Sequence, residues 1–379
     1  MSTFETLSNF NGGKRIISKY VGVDILCDRL DDLKPADVTT IMMLVSARRA
    51  AEASTTDIIE GSHFSAPSPL DPRKLHAAQG CIYNVLDGVD FIDLSPLQPE
   101  GTSHKLAGTN QKNIMPALRR NEVNSDATTS LFREAYSRSS KSNHNVGVRL
   151  ATNARITRVQ QFDPKTGFLP HFSMFAQVSI GEEKKYREDD TSTELSTLAA
   201  HLASEIAILD AIALNSGNIK SIDVQVGNIL LTEDIISRFN IDRQEVRRRT
   251  QDPDFDLLEL ASGIEIPDHL SLSSASIVDD LRQAGLTKGL GMFKKFKNHL
   301  ELTAPNLLER VRLDLGRVAG IGYYNNLCYK IHAVNHDGLT LPLVDGGTTD
   351  WMQKVDPRNK RHFTVGSGIG TELLALHYM

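Results

Sequence analysis

The sequence predicts an α+β domain built around a mainly antiparallel sheet that is flanked by helices, with a helical extension at the N-terminus. Leu327–Val334 and Leu339–Val344 are β-rich runs joined by Asn-His-Asp-Gly, which is a strong hairpin signal. Val146–Leu150 and Phe168–Ile180 are predicted to be the two strands of a second, longer hairpin. Thr193–Leu214 has apolar residues at helical spacing and is the best predicted helix of the chain.

The composition is that of a soluble globular protein, with 40% apolar and 23% charged residues. A chain of 379 residues can bury a large core in one domain or two. The net charge of −5 argues against a strongly basic nucleic-acid binder, although it leaves room for a local basic face. The three cysteines have no metal-ligand spacing, so we expect reduced thiols, no metal site of their own and a cytoplasmic location.

No signal peptide and no membrane span are predicted from the sequence. Met1–Lys14 lacks an apolar core after its charges, so no signal peptide is expected. No run approaches the roughly 18 consecutive apolar residues of a membrane span, so no membrane partner is expected.

Residues 1–88 are predicted to form the N-terminal helical extension. Pro35–Ala53 opens with Pro and Asp, as a helix N-terminus should, and Pro72–Leu86 is predicted to be a further helix. Ser62–Pro72 between them is rich in Pro and Ser and is predicted to be a loop. The extension carries no chemical motif, so packing or dimer formation is its expected role.

Two segments after residue 88 place a carboxylate two residues before a threonine. The first, after a short predicted strand at Val89–Leu97, contains Glu100 and Thr102. The second, at the start of a predicted helix, contains Asp126 and Thr128. Asp126 and Thr102, one from each pair, could simply cap helices.

The predicted long hairpin carries three arginines. Arg149 lies on its first strand, and Arg155 and Arg158 lie in Ala151–Gly167, which is predicted to be a loop. A planar guanidinium suits a phosphate site because it meets two oxygens at once. A solvated loop with no ligand is the alternative. On the returning strand, Gln177 is the polar side chain of interest.

A helix-rich insertion is predicted within residues 182–311. It contains Thr193–Leu214, a predicted strand at Ile219–Leu231 and helical segments as far as Arg249. Arg243–Arg249 is basic but is followed by acidic residues, which favours a solvated helix over a nucleic-acid contact. The glycines of Gly285–Leu300 lack the order of a phosphate-binding P-loop.

The C-terminal stretch is predicted to form the floor of a pocket. Gly346 and Gly347, at the predicted end of a strand, would let a ligand approach the backbone closely. Tyr323 and Tyr324 would supply an aromatic wall that suits an ammonium-bearing ligand. Thr371–Leu376 is predicted to be the closing helix.

Three motifs of this stretch resemble, in order and spacing, those of a class II aminoacyl-tRNA synthetase catalytic domain of the histidyl type. The family's RGLDYY corresponds to AGIGYY at 319–324, and its GGRYD-like turn to GGTTD at 346–350. Its Gly-Leu-Glu-Arg corresponds to GTEL at 370–373. The regulatory subunit of ATP phosphoribosyltransferase is similar to the same family. The resemblance covers about residues 89–379.

The resemblance implies roles for particular residues. An amino acid would be bound by Glu100, Thr102, Asp126, Thr128, Gln177, Tyr323, Tyr324, Asp345, Gly346, Gly347 and Asp350. ATP, with Mg²⁺, would be bound by Arg149, Arg155, Arg158 and Glu372, and catalysis would rest on Arg149 and Arg317. Whether Glu100 and Thr102 or Asp126 and Thr128 hold the ammonium stays open. In either case Arg149, Tyr324 and Gly347 are expected in one cleft.

Two departures from the family bear on catalysis. Leu373 stands where the family's third motif has Arg, and Ala319 stands where RGLDYY has Arg. Losing one such donor typically costs about 3–4 kcal/mol of transition-state stabilisation. Losing both would nearly abolish activation unless Arg155, Arg158 or Arg317 substitutes.

Three functions are therefore predicted, and the third involves no small ligand. The first is an ATP-dependent ligase that adenylates an amino acid or similar acid for a non-tRNA acceptor. The second is a non-catalytic, amino-acid-sensing subunit that acts in a complex with a protein partner. The third is a scaffold without a small ligand. The chain stops directly after the third motif, so an anticodon-binding domain and ordinary tRNA charging are not expected. A homodimer is expected by resemblance and by base rate.

Overall fold

The computed structural model describes residues 7, 13–19, 22–141, 147–159, 169–183, 192–249, 255–261, 269–358 and 360–379. Most of the N-terminal segment examined for a signal peptide, and residues 160–167 of the predicted loop, lie outside this range. The chain divides into two compact units, one of residues 1–66 with 116–122 and one of residues 67–115 with 123–379.

The helices, in chain order, are α1 (Gly13–Lys19), α2 (Val23–Asp32), α3 (Pro35–Glu52), α4 (Thr55–Glu60), α5 (Pro72–Val85), α6 (Thr102–Ala107), α7 (Ala127–Lys141), α8 (Thr193–Ser216), α9 (Ile229–Arg238), α10 (Arg243–Arg249), α11 (Leu257–Leu260), α12 (Ile277–Gln283), α13 (Leu290–Thr303), α14 (Trp351–Val355) and α15 (Thr371–His377). The strands are β1 (Asp90–Phe91), β2 (Leu97–Pro99), β3 (Pro116–Ala117), β4 (Asn121–Val123), β5 (Val148–Thr157), β6 (His171–Glu182), β7 (Ile219–Asn228), β8 (His269–Ser271), β9 (Val311–Asp314), β10 (Leu327–Asn335), β11 (Thr340–Thr349) and β12 (His362–Ile369).

The smaller unit is mainly helical, with α1 to α4. Helix α3 begins at Pro35, where the missing N–H of proline costs nothing, and Asp37 lies in its first turn. Helix α4 begins with a reciprocal cap between Ser54 and Asp57. The larger unit starts at Pro67, so α5, which we assigned to the N-terminal extension, packs in it against α8 and α15.

The larger unit is built on a sheet with the strand order β1-β5-β6-β12-β11-β10-β7-β9-β8 over the described residues. The pairs β1–β5 and β7–β9 are parallel, and the other neighbours are antiparallel. Helices pack on both faces of this sheet. The predicted class, an α+β domain around a mainly antiparallel sheet flanked by helices, is confirmed.

Side chains alternate between the two faces of the sheet, which we name after the helices that cover them. The α8 face carries Phe175, Val365 and Ile331 in one apolar core with α8. The α7 face carries Leu150 and Val178 in a second apolar core with α7. Because both faces are buried, the strands between them do not show the simple apolar and polar alternation of a half-exposed sheet.

Helix α8 is long and apolar enough by composition to cross a membrane, and half of its most apolar window is buried in the protein. Its buried residues include Leu198, Leu202 and Leu209, all in the core of the α8 face. A core helix of a globular domain has the same composition, and that is the position α8 occupies.

Two predicted elements were wrong at their ends. Ala151–Thr157 was predicted to be a loop but continues β5, because each of its residues pairs in register with β6. Strand β7 ends at Asn228, whose side chain accepts from the backbone of Leu230 and Leu231 and so caps α9. Tyr323 and Tyr324 lie in a turn between β9 and β10.

Candidate functional site

Asp126, Thr128 and Tyr323 form a hydrogen-bonded cluster on the α7 face. The Oδ1 of Asp126 accepts from the backbone N–H of Thr128 at 3.0 Å and from its hydroxyl at 2.6 Å. The Tyr323 hydroxyl donates to Oδ2 of Asp126 at 2.9 Å and lies 2.9 Å from the hydroxyl of Thr128. Asp126 directly precedes α7, so its carboxylate also caps that helix, as one of our two interpretations predicted.

Arg317, Tyr324 and Asp345 form a second cluster beside the first. The Tyr324 hydroxyl donates to Oδ1 of Asp345 at 2.8 Å, and the Nη2 of Arg317 donates to the same oxygen at 3.1 Å. The Arg317 side chain is only 4% exposed, whereas that of Asp345 is 47% exposed. The Tyr323 and Tyr324 rings meet edge to face with centroids 4.8 Å apart, which joins the two clusters.

Arg317, which could substitute for the arginine missing at Ala319, does not lie on a strand. Strand β9 ends at Asp314, and Arg317 lies in the irregular segment that follows it. Its Nε donates to the carbonyl of Ala319 at 3.1 Å. Arg317 is therefore held by its own segment and by Asp345.

Both tyrosine hydroxyls are donors at neutral pH. Burial raises the pKa of Tyr323 and of Tyr324 well above the ordinary value, and the charges of Asp126 and Asp345 raise them further. An ionised carboxylate has room for about four hydrogen bonds, and the Tyr323 hydroxyl occupies one position on Oδ2 of Asp126. An ammonium group could therefore be added to this cluster without displacing a partner.

Arg158 is the hairpin arginine that reaches the α7 face. Its Nε donates to the carbonyl of Ser125 at 3.1 Å, directly before Asp126 in the chain. Its guanidinium carbon lies 5.4 Å from the ring centroid of Phe172, which is on the α7 face of β6. A cation and a carboxylate thus lie side by side next to Tyr323.

Arg149 and Gln177 lie on the α8 face, so the prediction that Arg149 shares a cleft with Tyr324 and Gly347 was wrong. Residues paired directly across strands share a face, and Arg149 pairs with Ser179, which pairs in turn with Val365 of the α8 core. The Nη2 of Arg149 donates to Oε1 of Gln177 at 2.9 Å. A strand whose two faces are both covered gives no periodic signal for which residues face which helix.

Gly346 and Gly347 face opposite sides, and each accommodates a tyrosine ring rather than open space. A Cβ on Gly347 would lie 2.6 Å from Cδ1 of Tyr324, and a Cβ on Gly346 would lie 2.6 Å from Oη of Tyr329. Both glycines lie within β11, not at its end. The close approach predicted for a ligand is therefore made by the protein's own side chains.

Arg155 and Glu372 bind each other. The Nη2 of Arg155 lies 2.8 Å from Oε2 of Glu372, and the backbone N–H of Ser173 donates to the same oxygen at 2.8 Å. The hydroxyl of Ser68 donates to the other oxygen. Glu372 is 2% exposed, so its carboxylate ties α15 to the hairpin instead of facing a solvent-filled site.

We expect Arg155→Met to lower the free energy of unfolding by about 1–2 kcal/mol, because it leaves a buried carboxylate without its cation. The expectation is modest because the Arg155 side chain is 43% exposed and water screens the pair. Urea unfolding of Arg155→Met, Glu372→Gln and the double variant would measure the coupling. Additive single effects would contradict this assignment.

Of the remaining predicted residues, Thr102 and Asp350 have partners outside the two clusters. Glu100 is exposed, and the hydroxyl of Thr102 donates to the carbonyl of Pro99 at 2.6 Å. The carboxylate of Asp350 lies 2.8 Å from the Nζ of Lys354 in α14. Of the two alternatives for an ammonium site, Asp126 and Thr128 are the pair that contacts Tyr323.

A buried polar network on the α8 face was missed by the sequence analysis. Glu205 accepts from the Tyr329 hydroxyl at 2.6 Å and from Nε2 of Gln177 at 3.3 Å. His201 lies between the hydroxyls of Ser179 and Ser367, at 2.8 and 3.1 Å. The available signal was a titratable pair four residues apart in the otherwise apolar α8.

The α7 face of the β5–β6 hairpin does not fit a triphosphate. Its β5 side chains are those of Leu150, Thr152, Ala154 and Ile156, and only one of these is polar. In the described part of the chain no group of three His, Cys, Asp or Glu side chains is placed to hold a metal ion. ATP and Mg²⁺ stay predictions from resemblance.

No family model matches the sequence, and no curated protein matches it. Solved structures do match. An ATP phosphoribosyltransferase regulatory subunit/histidyl-tRNA synthetase from Bacillus halodurans C is 16% identical, with a TM-score of 0.62 over 84% of this chain and 83% of that one. Histidyl-tRNA synthetase from Nostoc sp. PCC 7120 is 16% identical, with a TM-score of 0.58 over 83% and 74%. A histidine–tRNA ligase subunit from Alicyclobacillus acidocaldarius is 13% identical, with a TM-score of 0.57 over 83% and 95%.

At these identities the likeness shows the fold, which is that of the class II aminoacyl-tRNA synthetases. The resemblance predicted from three short motifs is confirmed at this level. Activity, ligand and assembly do not follow from it.

Proposed function

We propose that this protein binds a free amino acid on the α7 face of its sheet and acts as a non-catalytic sensing subunit. The observation that supports this most directly is the cluster of Asp126, Thr128 and Tyr323 with Arg158 beside it. A carboxylate with hydroxyl neighbours suits the α-ammonium of an amino acid, and a guanidinium suits its α-carboxylate. The Tyr324 ring and Asp345 extend the same surface toward the ligand's side chain.

The positions of the predicted phosphate ligands favour sensing over adenylation. Adenylation needs cations that stabilise charge growing on phosphate and pyrophosphate. Arg149 faces away, Arg155 is bound to Glu372, and Arg317 is bound to Asp345. Arg158 is the remaining arginine of the predicted set on this face, and the sensing role uses it for the amino acid's carboxylate.

Adenylation of an amino acid for a non-tRNA acceptor remains the second candidate, because Arg158 could instead meet the α-phosphate of ATP. That function alone would require ATP and Mg²⁺. One structural neighbour carries the name of a regulatory subunit, which supports a role in a complex with a protein partner. A homodimer in the cytoplasm is part of the same proposal.

Calorimetric titration with histidine, followed by a pool of amino acids, tests the binding site. We expect binding by the wild-type protein and a loss of at least tenfold in affinity in Asp126→Asn, since a charged hydrogen bond contributes about 1.5–3 kcal/mol. Glu100→Gln is the matched control and should bind like the wild type, because Glu100 is exposed and apart from Tyr323. Loss of binding in Glu100→Gln with retention in Asp126→Asn would reverse the assignment.

Amino-acid-dependent exchange of pyrophosphate into ATP separates the two candidate functions. The sensing role predicts exchange no greater than that of the enzyme-free blank for every amino acid that binds. Exchange above the blank that Arg158→Ala removes would establish adenylation instead, and would make Arg158 its phosphate ligand.

A further inference from the structure

A cavity lies on the α8 face of the sheet, and the cluster of Asp126, Thr128 and Tyr323 lies on the other face. It is open to solvent, has a volume of about 610 Å³ and is bounded by β5, β6, β12 and the first turns of α8. Small-molecule sites in proteins commonly measure about 300–1,000 Å³. Its lining includes Arg149, Ser179, Ser196, Thr197, His201 and Phe363.

The inner wall of this cavity carries a cation with unused hydrogen-bonding capacity. The Nη2 of Arg149 donates to the neutral side chain of Gln177, and its buried Nε has no hydrogen-bond partner among the described residues. The acid whose charge acts on the Arg149 guanidinium is Glu205, which is fully buried and bonded to Gln177. A half-buried guanidinium whose N–H has no hydrogen-bond acceptor lowers the stability of the folded protein unless another group supplies the acceptor.

The wall around Arg149 is neutral. Burial and the charge of Arg149 hold the pKa of His201 well below its ordinary value, so this imidazole is uncharged at neutral pH. Its Nε2 lies 2.8 Å from the hydroxyl of Ser179. Val148, Ile180 and Phe363 line the same cavity with apolar surface. A ligand at this wall would meet the Arg149 guanidinium, hydroxyl groups and apolar surface, and Arg361 lies in the same lining.

The rim of the cavity is acidic, and this limits the charge of the ligand. The carboxylate of Glu183 accepts from the backbone N–H groups of Thr193 and Glu194, so it already caps the start of α8. Glu182 forms an ion pair with Arg361 on the opposite side of the rim. A phosphate dianion or a nucleotide would be repelled by the Glu183 carboxylate, whereas a single carboxylate with an apolar body would reach Arg149.

We propose that this cavity is a second ligand site, which binds a small monocarboxylate with an apolar body through a two-bond contact with Arg149. The carboxylate would accept from the terminal N–H groups of the guanidinium, because the Nε of Arg149 is itself buried. The apolar body would lie against Phe363 and Ile180. This site is independent of the amino-acid site, from which the sheet separates it.

Benzoate is a suitable probe, with benzamide as its neutral analogue and inorganic phosphate as a dianion. In protein labelled with ¹⁵N, the Nε–H signal of Arg149 can be identified by its absence in Arg149→Met. We expect benzoate to shift that signal saturably, and benzamide and phosphate to leave it unchanged. Benzoate affinity should fall at least tenfold in Arg149→Met, as for a lost charged hydrogen bond.

Two further variants keep the test decisive. Ser196→Phe fills the cavity from a half-exposed position on α8 and should block benzoate even if Arg149→Met does not fold. Asp126→Asn should bind benzoate like the wild type, which separates this site from the proposed amino-acid site. No shift with benzoate, equal binding of benzamide, or unchanged affinity in a folded Arg149→Met or Ser196→Phe would each overturn the proposal.

Discussion

Replacing Gly347 with alanine should lower the free energy of unfolding by about 1–3 kcal/mol, the usual range for overpacking a close-packed core. The added Cβ would lie 2.6 Å from Cδ1 of Tyr324, 2.8 Å from Cβ of Cys328 and 2.8 Å from the carbonyl oxygen of Leu327. The last of these is backbone within β10 and cannot rotate away. Urea unfolding of the purified variant, at fixed protein concentration, measures the change.

Gly366→Ala is the matched control, because Gly366 is the direct cross-strand partner of Gly347. A Cβ at Gly366 would meet Cγ2 of Val178 at 3.8 Å and Cβ of Thr128 at 3.9 Å, which are ordinary contacts. We expect this variant to match the wild type or to gain about 0.4–1 kcal/mol, since alanine restricts the unfolded chain. Equal losses in both variants would mean that the Tyr324 ring does not occupy the space above Gly347.

The same pair of variants bears on the proposed amino-acid site. Tyr324 can move in Gly347→Ala only by giving up its hydrogen bond to Asp345 or its edge-to-face contact with Tyr323. We therefore attribute the glycine in this position to the packing of a tyrosine that shapes the site. Ligand contact with the backbone, which the sequence first suggested, is not needed to explain it.

The elements that were predicted well have strong local signals. The hairpin of β10 and β11 has Asn335 and Gly338 at its turn, and Gly338 takes the positive φ that such turns require. Helix α8 has apolar residues at helical spacing, interrupted only at His201 and Glu205 on its buried face, and a Ser192 cap. Both signals act within a few residues, so the sequence alone could place them.

The face on which Arg149 lies could not be predicted, for a physical reason. Both faces of β5 are covered, so Leu150 and Ala151 are both fully buried although they point in opposite directions. The phase of the strand is then set by packing against α7 and α8 and not by contact with water. An alignment by motif therefore could not decide on which face of the sheet Arg149 lies.

The cluster of Asp126, Thr128 and Tyr323 shows the opposite case. The sequence predicted a carboxylate two residues before a threonine, and two segments satisfied that description. What distinguishes Asp126 from Glu100 is contact with Tyr323, which is 197 residues away in the chain. Only the fold makes that contact, so sequence reasoning could find the chemistry of this cluster but not its location.

The largest pH-dependent effect is expected from Glu205. Burial raises its pKa from an ordinary value of 4.5 to about 7, in spite of hydrogen bonds from Tyr329, Ser367 and Gln177 that lower it. Below about pH 4.5 the carboxyl group is neutral in the folded and unfolded chains, so it costs nothing. As the pH rises from about 4.5 to about 7, the unfolded chain ionises this group and the folded protein does not, so stability is lost over that range and the loss is complete above it.

Glu205→Gln should remove that loss while keeping the shape of the side chain. At pH 5 the variant and the wild type should unfold at similar urea concentrations. At pH 8 the variant should be more stable by about 2–3 kcal/mol, since each unit of pKa shift corresponds to about 1.36 kcal/mol. Other groups that titrate in this range are present in both proteins, so they cancel in the difference.

A difference that is the same at pH 5 and pH 8 would contradict this account and would mean that Glu205 stays ionised in the folded protein. Arg149 would then be its counter-ion through Gln177, and the guanidinium would have less charge to offer a ligand. The stability of Glu205→Gln and the binding of benzoate thus depend on the same cation. If Glu205 is neutral, the charge of Arg149 stays available to a ligand in the cavity. If Glu205 is ionised, benzoate should bind more tightly to Glu205→Gln than to the wild-type protein.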